Sequence, residues 1–365
     1  MGFGRGAVAA IDRAFWRGRR VLLTGHTGFK GSWAAIWLAG MGADVTGLAL
    51  APEQIPSLFE LAGVEALTTS LIVDLRDEAA VEAALAGRSF DLVLHMAAQP
   101  IVRTAIADPV ATFASNVMGT VHLLQALRAQ TGLAAVLAVT SDKVYANAED
   151  GRAFVESDAL GGKDPYSASK AATEIVAASF ARSYFAPAGV PLATARGGNV
   201  IGGGDFSADR IVADIVRAAR AGEPVVLRHP QATRPWQHVL DCVAGYLVYL
   251  QALASDPATP RAINFGPRPG GEAVTVGQLA TLGVKALGGE AGGARPWRHQ
   301  PDPGSLEAGS LAIDAGLARR VLGFESRLDA PAAVALTMDW YRRQASGEDA
   351  LVLCRAQIAD YEGRA

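Results

Sequence analysis

Cysteine is scarce in this sequence of 365 residues, since only Cys242 and Cys354 occur, far apart and without metal-ligand spacing. A disulfide scaffold is therefore not expected, no metal site is predicted, and the pattern favours a reducing cytoplasm. An excess of one charge is also missing, because 33 basic and 36 acidic residues leave a formal net charge of -3. This balance gives no electrostatic reason to expect a nucleic acid or an anionic membrane as partner.

Long apolar runs are missing as well. The most apolar long window, residues 33–51, is interrupted by Gly40, Gly42 and Asp44. It predicts a helix, a turn and a strand instead of a membrane span. Residues 1–20 contain no continuous apolar stretch, so no signal peptide is expected.

Short leucine- and valine-rich runs alternate with alanine-rich helical stretches over the first 196 residues. This alternation is typical of βαβ units, and it predicts an α/β fold with a Rossmann-type doubly wound parallel sheet. Glycine and proline become dense after Gly197, which indicates a smaller C-terminal α/β substrate-binding domain. The predicted strands are 20–24, 44–48, 70–73, 92–95, 135–140 and 191–196, and the predicted helices are 31–41, 78–86, 109–130 and 166–185.

The first predicted strand leads into a glycine-rich segment, residues 25–31, which is followed at once by a helix. Glycines at this spacing let the backbone approach a pyrophosphate, whose charge then lies at the helix N-terminus. The alternative is a glycine-rich turn without a ligand. The usual acidic residue at the end of the second strand is missing from residues 47–51, so the choice between NAD and NADP depends on other features. Asp74 is a candidate for the adenine end of the cofactor, or a turn residue.

Tyr166 and Lys170 lie four residues apart in a predicted helix and so share one of its faces. A lysine ammonium lowers the pKa of a neighbouring phenol, which could then accept a proton from a sugar hydroxyl. Lysine is rare here, with five among 33 basic residues. A lysine inside a motif therefore suggests that an amine is required.

The fifth predicted strand ends at Thr140, Ser141, Asp142 and Lys143. The hydroxyl of Ser141 could bond the oxygen that is being oxidised, and Asp142 with Lys143 would add an acid/base pair. The alternative is a capped turn with an exposed ion pair. His95, which ends an apolar strand, is expected to be a hydrogen-bonded core residue.

With these motifs the chain resembles the extended short-chain dehydrogenases of the NAD-dependent epimerase/dehydratase family, and within them the CDP-glucose 4,6-dehydratase group. The resemblance spans roughly residues 21–341. Its main motifs are residues 25–31, 56–60, 95–100, 116–120, 140–143, 164–167, 198–205, 234–239 and 264–267.

The resemblance implies NAD as cofactor and a nucleotide sugar as substrate. It implies an NAD-binding domain over 1–197 with about 239–266, and a substrate domain over 198–238 and 267–365. The implied catalytic residues are Ser141, Asp142, Lys143, Tyr166 and Lys170. Cofactor binding is implied for Gly25, Thr27, Gly28, Phe29, Lys30, Asp74, Leu75, Ala97, Ala98, Gln99, Asn116, Thr140, Tyr166 and Lys170. Substrate binding is implied for Asn199, Arg210, Arg234 and Asn264.

Three hypotheses about function follow. The first is a hydro-lyase that oxidises C4 of the sugar, eliminates water across C5 and C6, and returns hydride to C6. The second is a 4-epimerase or another sugar-nucleotide enzyme that shares the oxidation step. The third is a non-catalytic nucleotide-binding protein, which the intact Tyr166 and Lys170 pair argues against. Asp142 with Lys143 favours the first, because epimerisation needs no acid at C6. The long helices 109–130 and 166–185 suit a homodimer or higher homo-oligomer.

Overall fold

The strands run along the chain as follows in the computed structural model, which describes residues 11–268, 273–288, 296–302 and 309–364. They are β1 (Arg20–Thr24), β2 (Asp44–Ala49), β3 (Thr69–Ile72), β4 (Leu92–His95), β5 (Ala135–Val139), β6 (Leu192–Gly197), β7 (Val200–Ile201), β8 (Val225–Leu227), β9 (Gln237–His238), β10 (Ala262–Phe265) and β11 (Trp297–His299). Within the described residues, a parallel sheet of seven strands has the order β10-β6-β5-β4-β1-β2-β3. The order reverses between β1 and β4, which is where doubly wound sheets open a crevice for a ligand.

Helices connect and cover the strands. They are α1 (Arg13–Trp16), α2 (Phe29–Gly40), α3 (Leu58–Leu61), α4 (Glu78–Leu85), α5 (Val102–Ala107), α6 (Pro109–Phe113), α7 (Gly119–Leu127), α8 (Pro165–Phe180), α9 (Ile211–Ala221), α10 (Val239–Ser255), α11 (Val276–Ala286), α12 (Ala330–Ala345) and α13 (Ala350–Gly363). None of the helices in the described ranges has the length and apolar character needed to cross a membrane.

The central strands are buried on both faces, which explains their continuous apolar runs. In β1, Val21 and Leu23 pack into one hydrophobic core, whereas Leu22 packs into the core on the opposite face. The first core also contains the fully buried Trp33, from α2, and Trp340, from α12. The helices near the C-terminus therefore complete the core that the first βα unit begins.

The predicted α/β fold with a doubly wound parallel sheet is confirmed, and the six predicted strands agree with the structure to within one residue at each end. The predicted helix 109–130 is wrong in detail, because a π-helical turn at Ala114–Met118 separates α6 from α7. At this turn the carbonyl of Asn116 accepts hydrogen bonds from the hydroxyls of Thr120 (2.7 Å) and Thr173 (3.0 Å). A similar turn, Ala181–Phe185, follows α8.

The seventh strand, β10, has no counterpart among the predicted strands. Unlike the equally short β4, which begins with three consecutive apolar residues, β10 has the polar Asn264 inside its run. In the structure β10 pairs with β6, and α10 contacts both α2 and β5.

The division of the chain into two domains stays a prediction, and parts of the segment 267–365 lie outside the described residues.

His95 ends β4 as a buried residue whose two ring nitrogens are both bonded. Nδ1 lies 2.7 Å from Oγ1 of Thr24, and Nε2 lies 2.9 Å from Oγ1 of Thr120. Burial lowers the pKa of His95 to about 3. The imidazole is therefore a neutral core group that joins β1, β4 and α7, as its place in the sequence predicts.

Because the pKa of His95 is lowered on folding, the unfolded chain binds the extra proton below pH 6.5, and acid favours unfolding. Between pH 7 and pH 5 we expect His95 to reduce the free energy of unfolding by about 2 kcal/mol. His95→Gln should lose this part of the pH dependence in urea denaturation at the two pH values. His299→Gln, at an exposed position, serves as control and should keep the wild-type dependence. The same pH dependence in His95→Gln and wild type would contradict the assignment.

Candidate active site

The glycine-rich segment forms a tight connection between β1 and α2. Gly25 has a left-handed backbone (φ +77°), and a Cβ there would lie 2.9 Å from the backbone nitrogen of Ala97. A Cβ on Gly31 would lie only 1.9 Å from the carbonyl oxygen of Gly25. Gly28 precedes α2 without a side-chain cap, so the first N–H groups of the helix are left for a ligand. This cradle fits a pyrophosphate, as the sequence predicts.

The adjoining edge of the sheet lacks a carboxylate at the end of β2. The ring of His26 lies over Gly47, where a Cβ would come within 2.3 Å of it, and its Nε2 lies 2.7 Å from Oγ of Ser70. Asp74 forms an ion pair with Arg76 (2.5 Å) and accepts a hydrogen bond from its backbone N–H (2.9 Å). Arg76 lowers the pKa of Asp74. Asp74 thus has the position of a turn residue, and its role at the adenine stays a prediction.

Hydrogen bonds fix the loop after β4 against α8. The backbone N–H of Gln99 donates to Oδ1 of Asn116 (2.7 Å), and Nδ2 of Asn116 donates to Oγ of Ser169 (2.9 Å). The backbone N–H of Ala97 donates to Oγ1 of Thr24 (3.1 Å). The structure therefore brings the predicted cofactor residues of this loop close to the helix that carries Tyr166.

Tyr166 and Lys170 are both buried in the first turns of α8. Nζ of Lys170 donates to the carbonyl of Val139 (3.2 Å), and burial, helped by Lys30, lowers its pKa to about 7. Burial raises the pKa of Tyr166, and the Ser141 hydroxyl opposes this effect only in part. The prediction that the phenol has a lowered pKa is therefore wrong for the protein alone. Loss of contact with water outweighs the neighbouring donors and cations.

Shortly after β5, Ser141 caps a short 3-10 turn, Asp142–Val144, that contains Asp142 and Lys143. Oγ of Ser141 donates to Oδ1 of Asp142 (3.0 Å) and accepts from the backbone N–H of Lys143 (3.2 Å). The second carboxyl oxygen of Asp142, Oδ2, is buried and has no hydrogen-bond partner within the described part of the chain. Burial raises the pKa of Asp142, whereas Lys143 acts in the opposite direction. Of the alternative, a capped turn with an exposed ion pair, the cap is present at Ser141. The exposed ion pair is wrong, because Asp142 is only 1% exposed.

A cleft lies beside this turn and is lined by Lys143, Tyr145 and Ser167. The predicted substrate residues Asn199, Arg210 and Arg234 also line it. Further basic side chains of the lining, which suit a diphosphate, are Arg103, Lys163 and Arg228. No group of three His, Cys, Asp or Glu side chains suited to a metal ion occurs in the described ranges.

Asn264 is the predicted substrate residue that the structure does not bring into the cleft. It is fully buried on β10. Its Oδ1 accepts from the Tyr145 hydroxyl (2.6 Å), and its Nδ2 donates to the carbonyls of Phe154 (3.0 Å) and Asp314 (3.2 Å). All hydrogen-bonding groups of this amide are used inside the protein, so its position does not support contact with substrate.

Several residues of the site have no counterpart in the predictions. Arg228 and His229 line the cleft just after β8, and Asp205 lines it at the end of a glycine-rich loop. In the sequence, Arg228 and His229 could have been indicated only as a basic pair next to a short apolar strand. A buried ion pair between Glu174 and Arg196 also lies close to the turn 141–143. The position of Glu174 one helical turn after Lys170 could have indicated it.

Residues 21–266 match the model of the NAD dependent epimerase/dehydratase family. The chain is 41% identical to the CDP-glucose 4,6-dehydratase of Salmonella typhimurium over 96% of its own length and 98% of that protein. Its structure is similar to that of the dTDP-glucose 4,6-dehydratase from Streptomyces venezuelae, solved with NAD bound (TM-score 0.75, 25% identity, covering 91% and 99% of the two chains). The UDP-glucose 4-epimerase of Thermus thermophilus, also in complex with NAD, is similar too (TM-score 0.74, 27% identity, covering 88% and 99%). The glycine cradle, the tyrosine–lysine helix and these similarities lead to one conclusion: the chain belongs to the NAD dependent epimerase/dehydratase family.

Proposed function

We propose that the protein is an NAD-dependent hydro-lyase that converts CDP-glucose to CDP-4-keto-6-deoxyglucose. The observation that carries this proposal is Asp142, a buried carboxyl group with a raised pKa, whose Oδ2 has no hydrogen-bond partner among the residues that the structure describes. Such a carboxyl group can act as a proton donor, which a dehydratase needs at C6 and an epimerase does not. The similarity to a CDP-glucose 4,6-dehydratase over nearly the full chain supports the same choice.

The cradle of Gly25, Gly28 and Gly31 would hold the pyrophosphate of NAD, because a side chain at Gly25 or Gly31 would fill the space that the backbone uses. When bound, NAD would supply the group that takes hydride from C4 and returns it to C6. We assign the remaining contacts to Thr27, Phe29, Lys30, Asp74, Leu75, Ala97, Ala98, Gln99, Asn116, Thr140, Tyr166 and Lys170. NAD is proposed over NADP.

Arg210 and Arg234, with Asn199, would bind the diphosphate of the sugar nucleotide. Their side chains line the cleft, and an arginine guanidinium can donate two parallel hydrogen bonds to a phosphate. Both arginines also act on the catalytic groups. Arg210 opposes the rise in the pKa of Tyr166, and Arg234 opposes the rise in the pKa of Asp142. Binding of a dianion at these arginines would therefore change the electrostatics of the acid and the base together.

Because burial raises the pKa of Tyr166, its phenol would have to lose its own proton first, and Lys170 on the same helical face is the group that could take it. In the first step the phenolate of Tyr166 would then accept the proton of the C4 hydroxyl. Ser141 lies beside Tyr166 and would bond the same oxygen. Lys170, with a pKa of about 7, can hold or release a proton near neutrality. These residues therefore provide the proton path for oxidation at C4.

In the second step Lys143 would remove the proton from C5, which a ketone at C4 makes acidic. Asp142 would donate a proton to the C6 hydroxyl, so that the C6–O bond breaks, water leaves and a C5=C6 double bond forms. Burial raises the pKa of Asp142, which favours the protonated form that this step needs. Hydride addition at C6 and a proton at C5 then give the 4-keto-6-deoxy sugar.

A 4-epimerase is the second candidate, supported by the similarity to the Thermus thermophilus enzyme. It would use Tyr166 and Lys170 in the same way and would leave Asp142 without a task. The two candidates therefore differ in their product.

The function can be tested with a panel of nucleotide hexoses in heavy water, with the products identified by NMR. We expect CDP-glucose to give a 4-keto-6-deoxy sugar with one deuterium at C5, because the C5 proton is exchanged with solvent. A 4-epimer that retains its C6 hydroxyl and carries no deuterium would establish the epimerase instead.

Two substitutions should interrupt the reaction at different points. Tyr166→Phe should lower turnover by roughly two to four orders of magnitude, because the base at C4 is lost. Asp142→Asn should lower product formation to a similar extent and still allow oxidation at C4. Borodeuteride quenching would then trap a C4-labelled hexose with its C6 hydroxyl in Asp142→Asn and not in Tyr166→Phe. Product formation by Asp142→Asn within a few-fold of wild type would refute the acid at C6, and Asp150→Asn on the exposed surface is the control.

We also propose a homodimer in the cytoplasm, to which the two buried, unpaired cysteines are suited. Large apolar side chains are exposed on α6 and α8, where Val110 is 79% and Ile175 is 62% exposed. Further exposed apolar side chains on or next to these helices are Ile106, Phe113, Met118 and Tyr184. A surface of this kind is typical of a helical dimer interface.

The double variant Val110→Glu/Ile175→Glu should sediment as a monomer, because burying two carboxylates in an apolar interface is unfavourable. Val352→Glu carries the same change at a 58% exposed position on α13 and should remain dimeric. Equal sedimentation of both variants and wild type would exclude this interface.

A further inference from the structure

Glu174 is a buried carboxylate that takes no part in the chemistry proposed above. It lies on α8, one turn after Lys170, and its side chain is 4% exposed. Its Oε2 pairs with Nη2 of Arg196 (2.8 Å) and accepts from Oγ1 of Thr194 (2.8 Å), and its Oε1 accepts from the Thr140 hydroxyl. A charge this deeply buried is tolerated only when it is paired and hydrogen-bonded, so the positions of its partners are closely constrained.

Arg196 extends these contacts towards the cleft. Its Nη1 donates to the hydroxyl oxygen of Tyr145 (2.9 Å), and the Tyr145 hydroxyl donates to Oδ1 of Asn264 (2.6 Å). The ring of Tyr145 stacks on Phe154 at a centroid distance of 4.9 Å. We call this set the Glu174 network, and its members are Glu174, Arg196, Thr140, Thr194, Tyr145 and Asn264.

The network is attached to both ends of the catalytic turn 141–143. Thr140 directly precedes Ser141 and donates to Glu174. Tyr145 lies two residues after Lys143 and bonds Arg196. The carboxylate itself belongs to the helix that carries Tyr166, so one ion pair connects the proposed base at C4 with the turn that acts at C5 and C6.

We propose that the Glu174–Arg196 ion pair positions the turn 141–143 relative to Tyr166, and so couples oxidation at C4 to the elimination of water. This inference rests on the proposed function. Thr140 is the positioning residue at the start of the turn and Tyr145 at its end. Elimination needs Asp142 and Lys143 at the sugar while the C4 ketone exists. A displaced turn therefore slows the elimination step more strongly than it weakens substrate binding.

The chain offers a matched pair of substitutions to test this. Thr140→Val and Thr194→Val each remove one hydroxyl donor from the same carboxylate and keep a β-branched side chain. Only Thr140 adjoins the catalytic turn, whereas Thr194 lies on β6. Thr140→Ser keeps the hydroxyl and serves as the rescue variant.

We expect Thr140→Val to lower kcat for CDP-glucose roughly ten- to hundredfold, the range for a slightly misplaced group. Its KM should stay within about threefold, since binding of the ground state is retained. Borodeuteride quenching should trap a larger share of C4-labelled sugar that keeps its C6 hydroxyl. Thr140→Ser should recover most of the lost turnover, and Thr194→Val should behave as wild type in all three measurements.

Hydrogen exchange gives a result that does not depend on activity. Amides 141–145 should exchange faster in Thr140→Val than in Thr194→Val. Equal effects of the two substitutions on kcat and exchange, or a Thr140→Ser enzyme as slow as Thr140→Val, would overturn the proposal. Because Thr140 is also assigned to the cofactor, the NAD content of each variant is measured as well. A Thr140→Val protein that has lost its NAD would overturn the positioning role, since the missing cofactor would then account for its slow turnover. If the wild-type protein does not convert CDP-glucose, the proposed function has failed. The exchange rates alone then test whether Thr140 positions the turn.

Discussion

The removal of ionisable side chains from water is the constraint on which this site depends. Asp142, Tyr166, Lys170 and Glu174 are all buried near the carboxyl ends of the central strands. Each of them has to become neutral or find a partner, because an isolated charge is very unfavourable in a medium of low polarity. The chemistry follows from how each group meets that requirement.

Glu174 meets it by pairing with Arg196 (2.8 Å). Asp142 accepts a hydrogen bond from Ser141, and burial raises its pKa. Lys170 donates to a neutral carbonyl, and burial brings its pKa to about 7. Of two buried carboxyl groups at one end of the sheet, Glu174 has an arginine partner, whereas Oδ2 of Asp142 has no hydrogen-bond partner among the described residues.

Features set by short stretches of sequence could be predicted. The apolar runs of the strands, the glycine cradle and the pairing of Tyr166 with Lys170 on one helical face all depend on local spacing. The features that could not be predicted depend on contacts between distant parts of the chain. The raised pKa of Tyr166 depends on how completely the folded chain covers it. The inward position of Asn264 depends on Tyr145, which lies 119 residues away in the chain. At the π-helical turn the carbonyl of Asn116 accepts a hydrogen bond from the hydroxyl of Thr173 on α8, and the apolar pattern of residues 109–130 gives no information about this contact.

The contact between α13 and α2 bears on the order in which the protein can mature during synthesis. Trp37 of α2 packs edge-on against Tyr361 (5.7 Å between ring centroids) and donates from Nε1 to Glu362 (2.8 Å). The helix that begins at the nucleotide cradle therefore lacks part of its cover until residues 350–363 have left the ribosome. Domains generally fold as units as the chain emerges. Here the helix that follows the glycine cradle is enclosed by a segment 325 residues further along the chain, so its packing is completed only after that segment has been made.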